Sequence, residues 1–165
     1  MGSAVGRRGN QLAGKGEPRV TGNEADLAVM EASLVALGDR YAGLAGELFE
    51  RFIAAHPHYA PVFLNPAAAQ ERMTRETLEA LLGLAGGEWW VVTTVTNFVD
   101  LHRNYAAFTS RDYGEWFELT IAAMAARAGA DWPPGADAAW RRQARALALL
   151  VEAELRRGTE PGTLS

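Results

Sequence analysis

Apolar residues recur along this chain at three- and four-residue steps, the period of a helix face buried against a core, and no credible strand ladder accompanies them. Leu27, Met30, Leu34 and Leu37 form the first stripe, opened by Thr21-Gly22-Asn23-Glu24, which has the spacing of a capping box, and closed by Gly38. Tyr41, Leu44, Leu48 and Phe52 form a second stripe. It has to stop near His56, because Pro57 disfavours helical geometry in the residue before it. Pro61 keeps the next stretch short and bent as far as the corner at Phe63. Asn65-Pro66 then supplies an N-cap and a first-turn proline for a third helix, which carries Leu78, Leu81, Leu82 and Ala85 and ends at Gly86-Gly87.

The fourth segment conflicts with local propensity. Val91, Val92, Thr93, Thr94 and Val95 are β-branched and favour a strand. Yet Val91, Val95, Phe98, His102 and Tyr105 share one helical face and no partner strand exists elsewhere, so the reading is a helix from about Glu88 through His102. Thr109 or Ser110 caps a fifth helix bearing Tyr113, Phe117, Ile121 and Met124 and ending by Gly129. Pro133-Pro134 precede a last helix with Trp140, Ala144, Leu147, Val151 and Leu155 on one side. Six or so helices joined by short loops pack by ridges into grooves around one core, so the expected class is all-α in a single domain.

Composition narrows the chemistry. The chain has 165 residues, enough for one domain with room for a prosthetic group. No uninterrupted apolar stretch reaches the ~20 residues of a membrane span, which predicts a soluble protein. A formal charge of −4 disfavours nucleic acid or an anionic membrane as partner. The basic bias of Arg7, Arg8, Lys15 and Arg19 sits among glycines without the apolar core of a signal peptide, and reads as a disordered tail over residues 1–22. The absence of cysteine removes disulfides, thiolate catalysis and iron–sulfur ligation and agrees with a cytoplasmic location.

Three histidines remain. His56 and His58 flank the end of the second helix and are expected to face solvent. His102 lies on an apolar helical face, where an imidazole is either a hydrogen-bonded core residue or a metal ligand such as the one that holds a haem iron from one side.

Several residues around it resemble a known family. The segment Leu48-Phe-Glu-Arg-Phe-Ile-Ala-Ala-His-Pro-His-Tyr-Ala-Pro-Val-Phe63 is similar to the second and third helices of bacterial globins of the single-domain and flavohaemoglobin type. Pro57 and Phe63 stand where that family has the proline that starts the short third helix and the phenylalanine that packs on the haem face. His102 with Tyr105 three residues later, then a tyrosine at the start of the next helix, resembles the proximal region; Asp137-Ala-Ala-Trp140 resembles the start of the last helix. The likeness spans residues 24 to 158. It implies a globin fold, six to eight helices around a haem pocket, in a domain over 23–158 followed by a flexible tail over 159–165.

On this resemblance His102 is the ligand of a haem b iron, with Phe49, Phe63, Thr74, Leu78, Phe98, Tyr105 and Tyr113 around the cofactor. Relatives polarise the proximal imidazole with a tyrosine and a glutamate; Tyr113 and Glu154, or less readily Glu152, are the corresponding residues, although Tyr113 is equally readable as an ordinary core aromatic. The distal side departs from the family. Where relatives carry a tyrosine and a glutamine that donate hydrogen bonds to the gas, this chain has Phe49 and either Thr74 or Met73, with Leu78 one turn on. Losing two donors forfeits roughly one to a few kcal/mol of stabilisation of a polar ligand and less for carbon monoxide.

The implied function is reversible binding of a diatomic gas (oxygen, nitric oxide or carbon monoxide) for storage, scavenging or sensing, by a monomer or homodimer. Nitric oxide dioxygenation is the enzymatic alternative. It would need an external reductase, since the chain shows no flavin- or nicotinamide-binding domain. A haem-free regulatory module is a third reading, with Phe49, Met73, Trp89 and Trp90 as the residues able to crowd a cavity.

Overall fold

The computed structural model describes residues 22–159. They form six α-helices: α1 (Gly22–Leu37), α2 (Leu44–Ala55), α3 (Pro66–Ala85), α4 (Val91–Arg103), α5 (Ser110–Ala128) and α6 (Ala136–Arg157). Short 3-10 turns over Gly38–Tyr41, Pro57–Val62 and Gly129–Asp131 join three of the pairs, and no strand occurs among the described residues. Thr21, and with it the expected cap of the first helix, lies outside the described residues, as do 160–165 and nearly all of the expected N-terminal tail.

Local chemistry sets most boundaries. Asn65 caps α3, its side-chain oxygen accepting from the Ala68 amide, and Pro66 fills the first turn. Thr109 rather than Ser110 caps α5: its hydroxyl accepts from the Asp112 amide while the Asp112 carboxylate accepts from the Thr109 amide, a closed capping box. The β-branched run of α4 is helical, as its periodicity requires, because Val91, Val95, Phe98 and Val99 are buried together. Two expectations are corrected. Tyr41 is not part of the second helix but ends a 3-10 turn, because Gly38 (φ 48°) and Gly43 (φ 81°) adopt left-handed backbone that an α-helix cannot contain. And α4 begins at Val91, not Glu88, after Trp89 and Trp90 have turned the chain.

The core is continuous through all six helices. Trp140, Met30, Leu37, Leu48, Leu81 and Ile121 are among its fully buried members. Most of its polar atoms are paired: the Trp140 indole N–H donates to Ser33 Oγ at 2.8 Å, and Ser33 donates to the Met30 carbonyl at 2.6 Å. Helix α6 packs most extensively on α5 and also lies against α1, α3 and α4, while α3 contacts α2, α1 and α4. Because α3 and α4 diverge from their close approach at Gly83, a cleft opens between them toward the end that carries His102.

Candidate functional site

His102 occupies the last turn of α4, half-buried, and forms a wall shared by three cavities, two of which face α3. The outer cleft, about 340 Å³, runs from the Phe63 corner along α3 and is lined by Phe63, Ala69, Arg72, Met73, Leu101 and Tyr105 among others. A small inner cavity of about 50 Å³ lies deeper, walled by Phe52, Met73, Thr77, Phe98, Tyr113 and Trp116. That volume holds only a few water-sized molecules.

The imidazole is held by one nitrogen. The Tyr113 hydroxyl lies 3.0 Å from His102 Nδ1. The Phe98 backbone, one helical turn back, also lies beside the ring and favours its charged form. Nε2 has no hydrogen-bond partner among the described residues. Burial lowers the His102 pKa below its ordinary value, more than the Phe98 backbone bond and the nearby Glu76 charge raise it, so the ring is neutral at neutral pH. Burial likewise pushes the Tyr113 phenol well above its usual range, so it stays protonated.

The facing helix presents Met73, not Thr74. On α3 the cleft is met by Ala69, Arg72, Met73, Glu76 and Thr77, one helical face. Thr74 and Leu78 are one residue, about 100°, further round. Both are buried, line none of the cavities that contain His102, and Thr74 Oγ1 has no hydrogen-bond partner. Thr77 lines the inner cavity with a hydroxyl already engaged: it donates to the Met73 carbonyl at 2.7 Å and accepts from the Trp116 indole at 3.0 Å. Arg72 and Glu76 pair with each other at 2.8 Å on the same face.

Other expected residues fall as follows. Phe63 lines the outer cleft, and Phe49 stands behind it, its ring edge-on to that of Phe63 at 5.0 Å. Phe98 lines the inner cavity with its ring 6.5 Å from His102, and Tyr105 is half-exposed at the cleft mouth. Glu154 does not join His102 and Tyr113. Its buried carboxylate accepts from the Thr96 hydroxyl at 3.3 Å and lies 3.5 Å from Arg157. The residue of α6 that reaches the third cavity beside His102 and Tyr113 is apolar Leu155, and Glu152 pairs with Arg156. Trp89 is exposed and Trp90 packs toward Gly83, so neither fills the cleft.

One histidine is misplaced by the sequence reading. His58 is exposed as expected, but His56 is half-buried: its Nε2 lies 2.5 Å from Glu115 Oε2 and its Nδ1 3.9 Å from Asp112 Oδ1. The Thr109-x-x-Asp112 spacing was the available signal that Asp112 would turn inward at the start of α5.

No family model matches the chain, and searches of curated proteins and of solved structures also match nothing. No helix among the described residues is long and apolar enough to cross a membrane.

Proposed function

We propose that this chain is a globin that binds haem b between α3 and α4 and takes a diatomic gas reversibly, with His102 as the iron's protein ligand. The observation that carries this is a neutral, half-buried imidazole whose Nδ1 is held by the Tyr113 hydroxyl and whose Nε2 has no protein hydrogen-bond partner, on the wall of a mainly apolar cleft. The donor set fits the group: one neutral nitrogen donor, aromatic and aliphatic walls, and the Arg72 guanidinium on the rim, suited to a carboxylate.

Bound haem would supply the open iron position at which a gas can be held. The protein's part is to orient and to enclose. The Tyr113 hydroxyl, 3.0 Å from Nδ1, holds the orientation of the ring. Phe63 and Leu101 give the cleft apolar walls, and the inner cavity is wide enough for a diatomic molecule. Met73, whose thioether has no proton to donate, lines both cavities with His102. Thr77 spends its proton on a backbone carbonyl, so a polar diatomic gains no hydroxyl hydrogen bond there. This favours carbon monoxide relative to oxygen by about 1 kcal/mol or more over a globin with distal donors.

The enzymatic reading, nitric oxide dioxygenation with an external reductase, loses the feature that motivated it, because Glu154 is turned toward Thr96 and Arg157. The haem-free reading is opposed by a cleft that Phe49, Trp89 and Trp90 leave open. Protein produced with abundant haem should show a Soret band and one haem per chain, with ferrous and carbon-monoxide spectra of a histidine-ligated haem. His102→Ala should lose haem or change the ferrous spectrum. A wild-type protein that takes up no haem, or a His102→Ala variant with an unchanged ferrous spectrum, sinks the assignment.

A further inference from the structure

A second set of donor atoms lies where the end of α2 meets the start of α5, on the far side of the inner cavity from His102, with Asp112 also lining that cavity. We propose that His56, Asp112 and Glu115 form a site for a divalent transition-metal ion, with zinc as the probe. Each residue offers one ligand atom, and these atoms lie within 4.8 Å of one another. Asp112 is buried and the other two are half-buried. A neutral imidazole and two carboxylates are borderline-soft and hard donors of the kind zinc accepts, and their two negative charges match one dication.

The hydrogen bonds around the cluster leave a gap that a cation fills. Both bonds to the Asp112 carboxylate fall on Oδ2, from the Tyr59 hydroxyl at 2.7 Å and the Thr109 amide at 2.8 Å. Oδ1 is left without a hydrogen-bond partner, and so is His56 Nδ1, 3.9 Å away. That is too far for a hydrogen bond. With metal–ligand bonds of about 2.0–2.2 Å it is close to the spacing of two donors on one zinc ion, requiring only a few tenths of an ångström of closure to a tetrahedral arrangement. Tyr59 and the capping box fix the orientation of the carboxylate, as outer-shell partners do around a metal. Glu115 completes the set by exchanging its contacts with His56 Nε2 and Arg111 for the ion.

The site uses none of the residues assigned to the haem, though Asp112 borders the inner cavity, and its test is run on the haem-free full-length chain after chelation. Calorimetric titration with zinc chloride should give one ion per chain, with affinity falling at least tenfold in His56→Ala and in Glu115→Ala. Circular dichroism of both variants checks that they remain folded. Arg111→Ala, which frees Glu115 from a competing cation, should tighten binding several-fold. His58→Ala and His102→Ala should leave the affinity within threefold. Absence of a stoichiometric ion, ligand variants that bind like wild type, or loss of binding in His58→Ala or His102→Ala overturns the proposal.

Discussion

His102 is neutral at neutral pH because burial penalises its charged form, and this has a measurable consequence in the haem-free protein. Its folded pKa is depressed while the unfolded chain titrates near 6.5. The contribution is therefore fully present above 6.5 and is lost as pH falls from there through the folded pKa, because unfolding then takes up a proton. Urea midpoints measured from pH 7.5 to 5 should fall less steeply in His102→Gln than in wild type; parallel profiles would show that the ring is not desolvated. The hydroxyl of Tyr113 belongs to the same arrangement. Tyr113→Phe removes a part-buried hydrogen bond and should cost about 1 kcal/mol, read by the same midpoints at pH 7.5. His102 and Tyr113 could be found from sequence because each stands at a helical position shared with apolar neighbours. Thr74 against Met73 could not: a one-residue ambiguity along α3 is a rotation of about 100°, which decides whether a side chain meets the cleft. His56 was misjudged because its partners, Asp112 and Glu115, come from a helix more than fifty residues away.

At the scale of elements, helix identity followed from periodicity even where propensity opposed it, as in the Val91–Val95 run, since burial of one face outweighs the few tenths of a kcal/mol per residue that β-branched side chains lose in a helix. Boundaries were less legible where backbone rather than side chains set them. The Gly38–Tyr41 turn depends on φ values that no apolar pattern encodes, and the late start of α4 depends on its approach to α3. That approach rests on Gly83: a Cβ there would come within 2.7 Å of Val91 Cγ2 and 2.8–2.9 Å of the Trp90 ring. Gly83→Ala should therefore destabilise the protein by about 1–2 kcal/mol, overpacking outweighing the better helix propensity of alanine, with a change in tryptophan fluorescence from Trp90. A stabilised variant with unchanged fluorescence would contradict the close approach.

At the scale of the whole molecule, the core and the number of long helices were legible because every stripe of apolar residues had to find a partner. The way α3 and α4 separate into a cleft was not, since it depends on the relative tilt of helices joined by a turn. The haem binding proposed for the cleft predicts a link between cofactor and stability. A ligand that binds only the folded chain adds RT ln(1 + [L]/Kd), about 2.7 kcal/mol at a hundredfold excess over Kd. For a domain of this size that raises the melting temperature by roughly 5–10 °C. Calorimetric scans with and without haem should show that shift in wild type and a much smaller one in His102→Ala; equal shifts in both would place the haem elsewhere. The far end of the chain is tied to the same region. Arg103, next to His102, donates to the Glu154 carbonyl at 2.6 Å, which also accepts from the Gly158 amide, and to the Leu155 carbonyl at 3.4 Å, both in the last turn of α6. One guanidinium thus latches two helix ends together, so that fraying of the C-terminal turn and reorientation of the imidazole become a single local opening, visible as shared hydrogen-exchange rates at two places distant in sequence.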